Sequence, residues 1–102
     1  MNPLVLALSR PDLFSQRFVD YLKINLHIWD AFETQALLVA AHGFEHYGAR
    51  TIIEALRHHT ALHEVGGAWK INDRNIAYFA RLFALAHPVH QGLFEFRHIE
   101  AV

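Results

Sequence analysis

The residues NDRNIAYFARLFALAHP, numbers 72–88, predict the most strongly apolar helix of the chain. Asn72 or Asp73 can cap its start, because short polar side chains accept hydrogen bonds from the free backbone N–H groups of a first turn. Pro88 ends it, since the residue before a proline disfavours the helical conformation. The predicted helix covers about 74–87, and its apolar residues occupy nearly the whole circumference. A helix of that composition is buried on most sides, so other elements must surround it.

Further helices are predicted on the amino-terminal side of this stretch. Apolar residues that recur every four positions predict a helix over 12–24, and the pattern resumes over 26–42. Asn25 can interrupt the pattern, which leaves open either two helices or one kinked helix. Gly43 is a suitable C-cap for the second segment. Another helix is predicted over about 49–64.

Two short segments alternate apolar and polar side chains in the way that strands do. They are Ala-Trp-Lys-Ile at 68–71 and Leu-Phe-Glu-Phe-Arg at 93–97. We expect them to pair as a two-stranded antiparallel ribbon. The expected fold class is therefore mainly α, with three to four helices and a small two-stranded antiparallel β element. Helices with a terminal β-hairpin suggest a winged-helix-like arrangement, although a strand at 68–71 fits its usual element order poorly.

Length and composition indicate a single helical domain over 1–102. The 102 residues are 53% hydrophobic, which is enough for a core, and they include no cysteine. Disulfides, thiolate metal sites and a cysteine nucleophile are thereby excluded, and a cytoplasmic location is favoured. The apolar start, Met1 to Leu8, is short, lacks a basic region and contains Pro3, so it does not predict a signal peptide. No run approaches the roughly 20 apolar residues of a membrane span.

Charge gives a mixed indication about partners. Nine Lys and Arg residues face ten Asp and Glu residues, for a formal charge of −1, whereas nucleic-acid-binding domains are usually strongly basic. Basic and amide side chains nevertheless collect around the last helix, where they suit phosphates and base edges. The predicted nucleic-acid-binding residues are Lys70, Arg74, Asn75, Arg81 and Arg97. The alternative is an ordinary capped helix with a solvated polar end.

Nine histidines are the unusual feature of the composition. His59 and His63 are four residues apart on one predicted helical face, a spacing that can share a metal ion. They are weak candidates, because no glutamate lies between them to act as a base, and the simpler interpretation is surface or cap residues. No metal or other cofactor is expected. Catalytic residues are not predicted either, since Ser9 and Ser15 lie in no nucleophile motif and no glycine-rich phosphate loop is present.

Several separate motifs together resemble a family of small bacterial and prophage-borne proteins of uncharacterised activity. The motifs are Asn25-Leu26-His27-Ile28-Trp29, Gly43 through Arg50, Ile53-Glu54-Ala55-Leu56-Arg57, Trp69-Lys70-Ile71-Asn72, Tyr78 through Phe83, and Gly92 through Arg97. The resemblance covers about Phe18 to Arg97. The chain departs from the family pattern at 72–75 and has more histidine in 58–63. The resemblance implies an accessory protein of a mobile element and implies no reaction.

The leading expectation is a non-enzymatic, phage- or prophage-type accessory protein that binds nucleic acid through a helical, winged-helix-like body. The alternative is a protein-binding module that inhibits or adapts a host factor, as anti-restriction and anti-CRISPR proteins do. A histidine-dependent metalloenzyme is a third and weaker alternative.

The apolar last helix also predicts a two-fold homodimer. A small helical domain has difficulty surrounding such a helix, and exposed apolar patches usually mark interaction sites. The expected self-association residues are Tyr78, Leu82 and Leu85. The alternative is that Leu4 to Leu8 folds back and covers this stripe within one chain.

Overall fold

Helices form most of the chain that the computed structural model describes, which comprises residues 2–60 and 71–94. Five α-helices and one short 3-10 helix lie within these residues. They are α1 (Pro3–Leu8), α2 (Gln16–Ile24), α3 (Leu26–Ala41), α4 (Ala49–Thr60), α5 (Asp73–Ala86) and the 3-10 turn Pro88–His90.

The predicted two-stranded β element is wrong for the described part of the chain, and the winged-helix-like arrangement is wrong with it. No strand occurs in 2–60 or 71–94, and residues 68–70 and 95–97 lie outside the described residues. Phe94 instead makes an isolated parallel bridge with Tyr47. Leu93 and Phe94 are both buried, whereas neighbours in an exposed ribbon would point to opposite faces. Packing into a helical core therefore overrides the alternating pattern.

Local capping sets the limits of the helices. The Asn72 side chain accepts a hydrogen bond from the Asn75 N–H at 2.8 Å, and α5 ends one residue before His87. Asn25 separates α2 from α3, and its side-chain amide donates to the Tyr21 carbonyl at 2.9 Å. The two-helix interpretation of 12–42 is thus the one observed, although α2 begins only at Gln16.

The core is built around α5, against which α1, α3 and α4 all pack. Phe79 is fully buried and its ring lies 5.6 Å from the ring of Trp29 and 5.4 Å from that of Phe32. Phe83, one turn later, lies 5.4 Å from Phe94. Aromatic contacts at these spacings are favourable beyond the area they bury. The apolar circumference of α5 is explained by neighbours on several sides.

A helix that sequence analysis did not predict, α1, covers part of α5. Asn2 caps it by accepting from the Leu4 N–H at 2.8 Å, and Pro3 occupies the first turn. Ala7 is buried, and Leu4 and Leu6 pack against the core. Among the described helices, none combines the length and apolar character needed to cross a membrane.

Candidate interaction surface

Arg81, one of the expected nucleic-acid contacts, is used within the molecule. Its guanidinium donates to the Leu13 carbonyl at 2.9 Å and lies 5.8 Å from the centre of the Tyr78 ring. The contact joins α5 to the turns that precede α2, across 68 positions of sequence. A guanidinium held in this way has fewer donors left for a phosphate.

Two of the other expected nucleic-acid residues lie in the described part of the chain, at adjacent positions of α5. Asn75 is buried at the start of α5, while Arg74 beside it is exposed. Lys70 and Arg97 lie outside the described residues. Arg74 is thus the member of the predicted set that the described structure leaves on the surface.

Two arginines of α4 also make contacts inside the molecule. Arg57 donates to the Ile71 carbonyl at 3.2 Å and pairs with Glu54 at 3.1 Å, and Arg50 pairs with Asp73. These contacts anchor the segment in which α5 begins. Burial raises the pKa of the Tyr21 phenol, and the nearby Arg57 charge partly opposes that shift. Arg57 is therefore used within the fold, whereas Arg50 pairs with Asp73 at the exposed surface.

The expected self-association residues lie mainly inside the fold. Leu82 is fully buried, and Leu85 is packed against the core. Tyr78 is half-buried, with its ring 4.8 Å from Phe18 and 5.9 Å from Phe14. The homodimer was an expectation from the sequence, and the mass of the chain in solution is its test.

The weak metal candidates lie outside the described side chains. His59 belongs to α4, but its side chain is outside the described part, as is the whole of His63. Within the described residues, no three His, Asp or Glu side chains are grouped in a way that could hold a metal ion.

Four histidines collect in two segments that we call the histidine end, residues 42–47 and 87–92. They are His42, His46, His87 and His90. The first segment follows α3 and the second follows α5. One hydrogen bond connects the first segment to the residue that follows the second: the Tyr47 N–H donates to the Leu93 carbonyl at 2.8 Å. Leu93 is in turn tied to the second segment, because its N–H donates to the His90 carbonyl at 3.0 Å.

Large apolar side chains are exposed in both segments of the histidine end. Val89 is 91% exposed and Phe44 is 53% exposed. The Phe44 ring packs edge-on against Tyr47 at 5.3 Å, and Tyr47 is bonded to Leu93. A continuous chain of contacts therefore runs from Phe44 to the turn that carries Val89.

The first segment takes its shape from the end of α3. Gly43 has a φ of +88°, the left-handed conformation that glycine adopts without strain when it follows a helix. The His42 ring Nδ1 donates to the Leu38 carbonyl at 2.7 Å, a carbonyl that also accepts the His42 backbone N–H at 3.1 Å. These two features turn the chain so that Phe44, Glu45 and His46 are exposed.

The second segment is held against α3 by one polar contact. The His87 Nε2 lies 2.8 Å from the Glu33 Oε2, and the His87 and His90 rings lie 4.8 Å and 6.5 Å from that of Phe83. These contacts leave Val89, between the two histidines, pointing away from the core.

Comparison with protein-family models, with curated proteins and with solved structures finds no match to this chain. The resemblance to prophage-borne proteins therefore stays an expectation from the sequence.

Sequence analysis missed the histidine end. Its one available signal was the placement of exposed-loop residues: Phe44 directly follows a predicted helix-ending glycine, and Val89 directly follows the helix-ending Pro88. A large apolar residue in a turn contributes nothing to helix formation. Its presence there can therefore indicate a contact with another molecule.

Proposed function

We propose that this chain is a non-catalytic protein-binding module that contacts its partner through the histidine end. The observation that carries the proposal is the exposure of Val89 and Phe44 on two segments that a hydrogen bond from Tyr47 to Leu93 connects. Single exposed apolar residues are ordinary, whereas apolar residues that combine into one patch are typical of interaction sites. A protein-binding module is the alternative function named in the sequence analysis, and the nearly balanced charge of the chain suits it.

The chemistry of the surface suits a protein partner. Aromatic and aliphatic side chains supply the apolar centre of an interface, and polar groups surround it. Here Phe44 and Val89 would supply the centre, and His42, Glu45 and His46 would form part of the rim. Rim groups of both donor and acceptor type can bond to backbone groups of a partner.

Nucleic acid is supported less well as a partner. Arg57 and Arg81 donate to backbone carbonyls within the fold, Arg50 is paired with Asp73 at the surface, and the formal charge of the whole chain is −1. Binding to nucleic acid depends mainly on neutralising phosphates with cationic groups. Nucleic-acid binding remains the competing prediction, and it would be recognised by an affinity that falls steeply as the salt concentration rises.

The test is affinity capture from a nuclease-treated lysate of the native cells. Three baits are compared: the unmodified chain, Val89→Asp, and Ile24→Asp as a matched control. Ile24 is also a β-branched apolar residue, 79% exposed, but it lies at the end of α2. We expect one protein to be retained by the unmodified chain and by Ile24→Asp and to be lost from Val89→Asp.

Direct binding then has to confirm that interaction. The captured protein, purified, should bind the unmodified chain and Ile24→Asp with similar Kd and Val89→Asp at least about tenfold more weakly, as expected for an apolar contact at the centre of an interface. Equal binding by all three baits would overturn the proposed surface. Capture of material only from a parallel lysate left without nuclease, with salt-sensitive binding of duplex DNA or RNA by the purified chain, would favour nucleic acid instead.

A further inference from the structure

Charged side chains are distributed unevenly around the histidine end. Residues 24–49 contain three carboxylates, Asp30, Glu33 and Glu45, and no Lys or Arg. Residues 82–94 contain no charged side chain of either sign when histidine is counted as neutral. The whole of α3, the histidine end and the last turn of α5 therefore carry formal negative charge and no formal positive charge.

The basic residues that flank these segments in the sequence are placed elsewhere in the molecule. Lys23 belongs to α2, which ends where α3 begins, and α3 is about 24 Å long for its 16 residues. Arg50 pairs with Asp73 at the start of α5, whereas the histidine end follows the last residue of that helix. Arg81 donates to the Leu13 carbonyl. These three basic residues therefore do not offset the carboxylates near the histidine end.

A carboxylate accompanies each of the two exposed apolar residues of the proposed interface. Glu45 directly follows Phe44, is exposed, and forms neither a hydrogen bond nor an ion pair with any residue that the structure describes. Glu33 is 30% exposed and contacts His87, two positions before Val89. Glu45 is thus the carboxylate that is available to a partner beside Phe44, and Glu33 adds negative charge on the side of Val89.

We infer that the partner of the histidine end is a basic protein segment, in which Lys or Arg side chains flank apolar anchors. This inference rests on the proposed function, because it names the class of protein that the same surface binds. Opposite charges face each other across the rims of interfaces and speed the encounter of two proteins. An apolar centre accompanied by carboxylates suits such a segment. It also repels phosphate, the group that nucleic acids and anionic lipids both present.

Two synthetic peptides of about 18 residues, long enough to form a helix, serve as probes. Both carry leucine on one helical face, and the opposite face is lysine in the first peptide and glutamate in the second. Fluorescence anisotropy of each labelled peptide with the full chain, at neutral pH and low salt, gives the two Kd values. We expect the lysine peptide to bind at least about tenfold more tightly, and its Kd to rise with salt because exposed charges are screened.

Three variants assign this preference to the histidine end. Glu45→Lys replaces attraction with repulsion at an exposed position and should weaken binding of the lysine peptide by about three- to tenfold. Asp20→Lys makes the same change of net charge at an exposed position of α2 and should alter the Kd by no more than about twofold. Val89→Ser removes an apolar anchor without adding charge, so it should also weaken binding of the lysine peptide.

Four results would overturn the inference: equal binding of the two peptides, tighter binding of the glutamate peptide, no binding of either, or equal weakening by Glu45→Lys and Asp20→Lys. The capture experiment tests the proposed function separately. A captured protein whose binding depends on Val89 but is unaffected by Glu45→Lys would preserve protein binding at the histidine end and remove only the basic class of partner.

Discussion

At the scale of single residues, several basic side chains stabilise this fold through backbone carbonyl groups. Arg81 donates to the Leu13 carbonyl, and Arg57 donates to the Ile71 carbonyl. Each bond fixes an irregular segment to a helix, in places where no regular secondary structure could do so. Sequence analysis assigned Arg81 to nucleic acid, because a basic residue at a helix has the same appearance in both roles. The two roles of Arg81 are distinguished only by its hydrogen bond to the Leu13 carbonyl, and Leu13 lies 68 positions away in the sequence.

Replacing Arg81 with methionine should therefore destabilise the protein. Arg81→Met keeps an unbranched, apolar side chain but loses the bond to Leu13 and the contact with the Tyr78 ring. We expect the free energy of unfolding to fall by about 1–2 kcal/mol, the range for a charged hydrogen bond that is partly exposed. Urea denaturation followed by circular dichroism measures it. Arg74→Met, at an exposed position of the same helix, is the control and should change stability by no more than about 0.5 kcal/mol. Equal effects of the two substitutions would show that the Leu13 contact contributes nothing.

At the scale of elements, sequence predicts what is encoded locally. The helix α5 was predicted closely because its cap, Asn72, and its stop, Pro88, act within a turn of its ends. The six-residue α1 was missed, because so short a helix is formed through packing and not through its own propensity. The predicted strand is wrong for its described residues, 93 and 94, because alternation cannot show that Phe94 will lie between Phe32 and Phe83.

The candidate surface depends more strongly than the helices do on contacts between residues that are far apart in the sequence. Val89 is exposed because the turn that carries it is fixed through His87 to Glu33, 54 positions away. The sequence shows four histidines in two short segments, but nothing local indicates that the segments meet. Residue types in a site can therefore be read from sequence, whereas their assembly into one surface requires the packing of α3 with α5.

The packing of α5 predicts how a charge on its apolar stripe will behave. Leu82 is fully buried, so Leu82→Glu places a carboxylate in the core without a partner, which costs several kcal/mol. We expect loss of cooperative thermal unfolding, or a Tm lower by more than about 15 °C, by circular dichroism. Ile24→Glu, at a position 79% exposed, should leave the Tm within about 2 °C of the unmodified chain. A folded Leu82→Glu protein with an unchanged Tm would contradict the buried position of Leu82.

At the scale of the whole molecule, the question is how the apolar surface of α5 is covered. The dimer prediction assumed that one small domain could not surround this helix. In the structure, α1, α3 and α4 all pack against α5, and Ala7 of α1 is buried. The alternative to the dimer in the sequence analysis was that Leu4 to Leu8 covers the apolar stripe of α5 within one chain. The large apolar residues that remain exposed are spread over the described surface, on α1, α2, α3 and the histidine end.

We therefore expect the isolated chain to be a monomer, because the stripe proposed for the dimer is covered within one chain. Light scattering coupled to size exclusion at tens of micromolar should give a mass close to 11.8 kDa. Ala7→Glu tests the cause of this state, since a buried charge on α1 should displace that helix from α5 and expose apolar surface. The variant should then self-associate in a concentration-dependent way, whereas Val5→Glu, at an exposed position of the same helix, should stay monomeric. Twice the monomer mass for the unmodified chain would restore the dimer, and a monomeric, fully folded Ala7→Glu protein would show that α1 is not what keeps the chains apart.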